Sequence, residues 1–289
     1  MSLRALAEPE YHRLAARLAV LEMNTLFARA VLERDAPGRV LADANGAVYV
    51  IHGYGMSLLF GGTPNDEVLA EVTATPRADA EWLQVSGAWA PHFEKLAFVE
   101  KHTRVNFTFS EAAFRGRRPR AHGQRIVRVG HAAFAMAGSV VPRAFWRAAG
   151  DFVTRGAGYA VMIGEAMASL AFSAFVTPNQ LEIGIETLPE YRGRGLAALA
   201  CAALVDHCLA RGVEPVWACR LDNTASHRLA ESLGFAPTRR LPYFRVPSTE
   251  ARECPPRDRP PRNLRRRGRG ETGPFSASVD LTGAPERKS

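Results

Sequence analysis

Lysine is nearly missing from this chain. Only Lys95, Lys101 and Lys288 occur in 289 residues, although lysine and arginine together number 37. A lysine Schiff base or lysine nucleophile therefore has almost no candidates. Cysteine is scarce as well. Cys201, Cys208, Cys219 and Cys254 are unevenly spaced and form no CxxC pair, which argues against a zinc or disulfide framework. The histidines show no HxxxH or similar ligand spacing, so no metal is expected. No apolar run approaches the roughly 18–20 residues of a bilayer-spanning helix, and no membrane partner is expected. Residues 1–31 mix Arg4, Arg13 and Arg17 with Glu8 and Glu10, while Leu14, Leu18 and Leu21 recur at helical spacing. That pattern reads as an amphipathic helix and not as a secretory signal. Together with the lack of a disulfide framework it points to the cytoplasm.

Two phosphate-binding motifs are present only in part. A P-loop needs Lys and then Ser or Thr after its last glycine, but Gly195 is followed by Leu196 and Ala197. A dinucleotide fingerprint needs a third glycine where Ala198 stands, and an acidic residue closing a strand about 20 residues on. Neither is there.

What is present starts from an ordinary globular composition, 47% hydrophobic and 23% charged, in a chain long enough for two modest domains. The formal net charge is +8. From Val246 onward ten basic and six acidic residues leave +4, half of that total, in the last 44 residues. This tail holds Pro255-Pro256, Pro260-Pro261 and the run Arg265 to Arg269, and it cannot build a core. Residues 247–289 are therefore expected to be disordered. Phe275 is the tail's one aromatic residue and no aromatic–basic interleaving occurs, which argues against readout by base stacking. Only weak, salt-sensitive and nonspecific contact with nucleic acid is expected of it.

The informative stretch is 181–197. A strand-like run from Leu181 to Leu188 meets a turn at Pro189. Arg192-Gly193-Arg194-Gly195-Leu196-Ala197 follows, and a helical pattern runs on to Arg211, closed by Gly212. Glycines let several backbone N–H groups converge on one point, and a helix start adds partial positive charge there. The order strand, glycine turn, helix suits a phosphate or pyrophosphate. Arg192, Gly195 and Ala197 fit the pattern Arg/Gln-x-x-Gly-x-Gly/Ala. A second strand, Pro215 to Arg220, comes next, then Asn223, a short helical stretch, and Gly234-Phe235.

In this order of parts the chain resembles the GNAT superfamily of acyl-coenzyme A-dependent N-acyltransferases, over roughly residues 136–246. The resemblance implies a mixed, mostly antiparallel sheet flanked by helices. It also implies transfer of an acetyl group from acetyl-CoA to an amine by direct attack on the thioester. Backbone N–H groups of Gly193, Arg194, Gly195, Leu196 and Ala197 would hold the pyrophosphate, with Arg192 opening the motif. Ile185 and Thr187 fall where the family's central strand pairs with pantetheine, and a backbone N–H at Thr187 could polarise the thioester carbonyl. Asn223 matches the family's coenzyme-contacting Asn, and it also suits a helix cap.

The acid and base are less determined. An alkylamine has a pKa of roughly 10, so a base or water relay is needed near neutral pH. Glu182 and Glu186 are four apart on the central strand and share a face. A glutamate in an apolar strand either faces a cleft or is paired, here with arginines such as Arg192 or Arg194. The family's usual acid is a Tyr four residues before the Gly of Gly-Phe, and here that position is Ala230. Tyr243, Ser226, His227 or water would have to protonate the thiolate, with Tyr243 favoured. Ala230 also keeps open an acyl-CoA-binding regulator or pseudo-enzyme. The acceptor, a small-molecule or peptide amine, is not legible.

Residues 1–130 are read as a separate α+β domain, 131–246 as the acetyltransferase domain. The first is expected to run helix 8–33, strands 39–43, 47–52 and 56–60, helix 65–74, strand 82–85, helix 91–101 and strand 104–109, with 115–128 as connector. Asn45-Gly46 signals a hairpin. The order suits either a degenerate copy of the same fold or an unrelated α+β domain. Residues 141–154 read as one amphipathic helix.

Overall fold

The alternating apolar residues of 38–60 fold as a meander. In chain order the strands are β1 (Arg4–Ala5), β2 (Gly38–Ala42), β3 (Val48–His52), β4 (Met56–Phe60), β5 (Ala80–Val85), β6 (Glu100–Phe109), β7 (Arg125–Arg128), β8 (Gly158–Ile163), β9 (Ala166–Val176), β10 (Gln180–Thr187), β11 (Glu214–Val216), β12 (Ala218–Arg220) and β13 (Phe235–Pro247). The structure, a computed structural model, describes residues 2–74, 80–248 and 252. Asn45-Gly46 turns β2 into β3, and Gly46 takes φ 88°, the left-handed conformation that a tight hairpin turn assigns to glycine.

Two sheets result. The larger has the order β1-β2-β3-β4-β5-β13-β6-β12 and the smaller β11-β10-β9-β8-β7. Pairing is antiparallel except for β4 with β5 and β10 with β11. The fold is thus the mixed, mostly antiparallel α/β arrangement of the sequence reading. The helices are α1 (Ala15–Ala19), α2 (Leu26–Leu32), α3 (Asp66–Ala74), α4 (Ala90–Glu94), α5 (Glu111–Arg117), α6 (Pro142–Phe145), α7 (Ala149–Arg155), α8 (Leu196–Ala210) and α9 (Thr224–Ser232).

The strands interleave across residue 130. β12 and β13, from the C-terminal part, belong to the larger sheet, and β13 lies between β5 and β6. β7, from the N-terminal part, pairs with β8. One apolar cluster joins both sheets, with Phe27 and Val31 of α2 meeting Phe145, Phe172 and Phe175. A second lies between α8 and the smaller sheet, around Leu199, Leu204 and Val205. The third, with Trp89, Phe93 and Phe244, fills the other face of the larger sheet under α3 and α4.

Several expected helices are shorter. The run 8–33 breaks into a 3-10 turn (Glu8–Leu14), α1 and α2. At the break, Asn24 Oδ1 accepts the Leu26 N–H at 3.0 Å, so a side chain competes with helix bonding there. The helix expected at 91–101 ends at Glu94, and Glu100 and Lys101 pair with β13. The helix expected at 141–154 divides into α6 and α7. Trp146 between them is extended, and its indole N–H donates to the Ser173 carbonyl at 2.8 Å. The connector 115–128 contains the end of α5 and all of β7. β13 runs through Pro247, and the tail expected to be disordered lies almost wholly outside the described residues. Among those residues no helix is long and apolar enough to cross a membrane.

Candidate active site

The central feature is a strand that changes sheets. β11 runs parallel to β10 for three residue pairs, ending at Glu182 and Val216. At Trp217 the chain leaves the smaller sheet. The Trp217 carbonyl accepts the Phe107 N–H at 3.1 Å, and β12 then pairs with β6. From Ile183 to Thr187, β10 keeps β9 on one side and, among the described residues, has no strand partner on the other. Backbone donors and acceptors of an open strand edge pair readily with an extended ligand.

The glycine turn lies at the end of that open edge. Gly193 and Gly195 have φ 75° and 73°, a conformation that costs other residues roughly 1–2 kcal/mol. A Cβ at either would meet nothing within 4 Å, so the turn faces open space. Gly195 caps α8. Arg192 Nε donates to the Thr187 carbonyl at 3.0 Å, tying the turn to β10. Arg194 donates to the Glu190 carbonyl at 3.1 Å and lies over the Tyr191 ring. Asn223 Oδ1 caps α9 by accepting the Ser226 N–H at 3.2 Å. A cleft of about 550 Å³ brings together Ile185, Thr187, Arg192, Gly193, Arg194, Gly195, Leu196, Ala197 and Asn223, with Glu186, Tyr191 and Ser226. Converging N–H groups, a helix start and an open strand edge fit a pyrophosphate joined to an extended polar chain.

The three acid–base candidates do not share one environment. Glu186 is at the cleft and fully engaged. Its Oε2 accepts the Ser139 and Val140 N–H groups at 3.0 and 3.1 Å, and Arg192 approaches Oε1 at 3.5 Å. Glu182 lies deeper, where β10 and β11 part. It is 3.3 Å from Arg104 Nη2, with both side chains buried. Burial pushes its carboxyl above the usual range, and Arg104 opposes the shift. Tyr243 does not line the cleft. It is buried on β13, stacked on Trp82 at 5.2 Å, with the Arg104 guanidinium 5.4 Å from its ring centre. Burial pushes its phenol up to about 12, again against Arg104.

The family's sequence model, GNAT acetyltransferase, matches residues 18–244. The chain belongs to the GNAT acetyltransferase family. The match starts well before residue 136, where the sequence resemblance begins. A GCN5-related N-acetyltransferase-like protein from Streptococcus suis 89/1591 has the same fold, with TM-score 0.66 and 21% identity over 82% of this chain and 99% of that one. A tandem GNAT protein from the clavulanic acid biosynthesis pathway aligns with TM-score 0.52 and 13% identity, covering 85% and 98%. Over 91 residues the chain is 37% identical to the uncharacterised N-acetyltransferase YdfB of Bacillus subtilis (strain 168). That match spans 32% of this chain and 35% of YdfB, about a third of the relative's length.

This GNAT protein has side chains at the strand split that the sequence reading passed over, namely Asn24, Gln84, Arg104 and Asn106. The signal was there in part. Arg104 and Asn106 stand on the same side of a strand whose other positions are Val105, Phe107 and Phe109. The thiols, by contrast, are core. Cys201 and Cys208 are buried on α8, and burial pushes both above the usual range, Cys208 to about 12. Cys254 lies outside the described residues. Among the described residues no group of three His, Cys, Asp or Glu side chains could hold a metal.

Proposed function

We propose that this GNAT acetyltransferase moves an acetyl group from acetyl-CoA to a free amine by direct attack. The observation that carries the reading is the open edge of β10 running into the glycine turn. Gly193 to Ala197 would hold the pyrophosphate, Ile185 and Thr187 the pantetheine, and Asn223 would contact the coenzyme beside α9. The coenzyme supplies an activated thioester. In the transfer, the amine nitrogen bonds to the acetyl carbon and the carbon–sulfur bond breaks. One proton leaves nitrogen and one joins sulfur. The Thr187 N–H would polarise the acetyl carbonyl.

Of the two glutamates, Glu182 is the better base. Its raised pKa moves it toward neutrality, where a base works best, whereas the oxygens of Glu186 are already bound. Tyr243 is kept protonated by burial but lies off the cleft, so as proton source for the thiolate it would need an intervening group, whereas the Ser226 hydroxyl lines the cleft itself. Residues 1–130 would then cover and shape the acceptor side of the 131–246 half. Buried cysteines support a reducing, cytoplasmic setting.

A second reading, an acyl-CoA-binding regulator with little turnover, has one observation in its favour. Ala230 is fully buried in the apolar cluster beneath α8, so the family's usual acid has no substitute at its own position. Two measurements separate the readings. Gly195→Asp puts a side chain and a negative charge where phosphate is proposed. Acetyl-CoA affinity should fall at least ~10-fold, about 1.4 kcal/mol, with the fold intact. Thiol release from acetyl-CoA with an amine panel should be seen in the wild type. Unchanged affinity in calorimetry removes the coenzyme assignment, and binding without thiol release favours the regulator.

A further inference from the structure

Where β10 and β11 part, polar side chains from four segments meet in the interior. Glu182 of β10 pairs with Arg104 of β6 at 3.3 Å. Asn24, from the break between α1 and α2, lies beside Glu182 and favours its charged form. The Asn24 carbonyl accepts Gln84 Nε2 of β5 at 3.3 Å. Asn106 is two residues beyond Arg104 on the same face of β6. Gln84, Arg104, Asn106 and Glu182 are all more than nine-tenths buried.

Six side-chain atoms in this cluster make no close hydrogen bond: Gln84 Oε1, Arg104 Nε, Asn106 Nδ2 and Asn106 Oδ1, and also Asn24 Nδ2 and Glu182 Oε2, although Asn24 faces the Glu182 carboxylate. They are six of nine such buried atoms among the described residues. Each unsatisfied buried group costs about 1–3 kcal/mol. The Arg104–Glu182 pair does not account for Asn106, whose amide is unmatched at both ends. Unmatched polar atoms gathered in the interior, where β10 and β11 part, are what a recognition site looks like.

We propose that this cluster recognises the acceptor, and that the acceptor is a small zwitterionic amine of the α-amino-acid class. The proposal rests on the acetyltransferase reading above. Two unmatched acceptors, on Gln84 and Asn106, together with the Glu182 carboxylate beside Asn24, suit the N–H groups of an amine. Two unmatched donors, on Arg104 and Asn106, suit a carboxylate. A polyamine or a lysine side chain brings donors alone and leaves Arg104 Nε and the Asn106 NH₂ group unmatched. A zwitterion brings both kinds on one small frame. A cavity of about 610 Å³, lined by Leu21, Met23, Leu26, Gln180 and Val216, reaches the cluster at Asn24. It lies at the opposite end of β10 from the glycine turn. The acceptor enters there, while the coenzyme occupies the other end.

The test is calorimetry on the full chain saturated with coenzyme A, using the twenty amino acids, their α-amides and their decarboxylated amines. At least one amino acid should bind 10-fold or more tightly than its decarboxylated amine. Asn106→Leu should erase that preference while the melting temperature holds or rises, because it removes only unmatched polar atoms. A merely structural Asn106 would leave the preference intact, and that result overturns the proposal. Arg104→Gln should also erase it. If that variant does not fold, Asn106→Leu decides alone. Amides binding as tightly as acids would overturn the zwitterion class in favour of peptide N-termini. Thiol release in the same panel is scored separately. Preference without release sinks the catalytic reading and keeps this one, and release without preference does the reverse.

Discussion

Glu182 and Glu186 share one face of one strand and live in different chemistry. Glu186 ties the 138–140 segment to β10, and Gly138 packs so closely on it that a Cβ there would come within 2.6 Å of its side chain. Glu182 is buried against one arginine. Glu182→Gln should therefore lower kcat by ~10²–10⁴-fold with little change in acetyl-CoA affinity. In the wild type, kcat/KM should fall as pH drops through the raised Glu182 pKa, above the ordinary carboxylate range. A Gln variant that keeps both the rate and that acid limb would remove Glu182 as the base. His52 offers a second pH test. It is buried between Phe145 and Phe175, its Nδ1 accepts the Tyr54 N–H, and burial lowers it from 6.5 to about 4. The folded state thus binds fewer protons than the unfolded state between those values. Its contribution is present above about pH 6.5 and is lost as pH falls toward 4, up to ~3 kcal/mol. Urea midpoints of wild type and His52→Asn should converge over that window, and parallel curves would refute the assignment.

At the scale of elements, what was legible was what local chemistry dictates. The glycine turn could be read because Gly193 and Gly195 must take positive φ. The β2–β3 hairpin could be read for the same reason at Gly46. The Leu196–Ala210 helix followed from its apolar content and Gly212. The Arg104–Glu182 pair could not be read, because its partners are 78 residues apart. The parting at Trp217 was equally hidden, since residues 214–220 keep a strand-like pattern while changing neighbours. The breaks at 20–25 and 146–148 depend on side chains bonding backbone, at Asn24 and Trp146, which periodicity does not report. α8 carries its own prediction. Cys201 and Cys208 should resist maleimide in the folded protein and label only on unfolding, as mass spectrometry would show. Rapid native labelling at either would mean that α8 opens locally.

The whole molecule is built around the place of β13. Without it β5 and β6 are not neighbours, and the larger sheet falls into two pieces. Residues 1–130 and 131–253 expressed apart should each give poorly dispersed amide spectra, and mixing them should restore dispersion if the strands find one another. A well-dispersed spectrum from either alone would show that the interleaving is dispensable.

That placement also sets an order of events in synthesis. β13 spans 235–247 and joins two strands that left the ribosome much earlier, at 80–85 and 100–109. Pairings this distant in sequence form slowly. Until the last strand emerges, the nascent chain carries two open β edges, the surfaces most prone to pair with other chains. Tyr243 arrives on that same strand. A chain stalled before residue 235 would therefore be adhesive and would leave Arg104 without the Tyr243 ring beside it, so the product lacking that contact and the aggregation-prone product are one species.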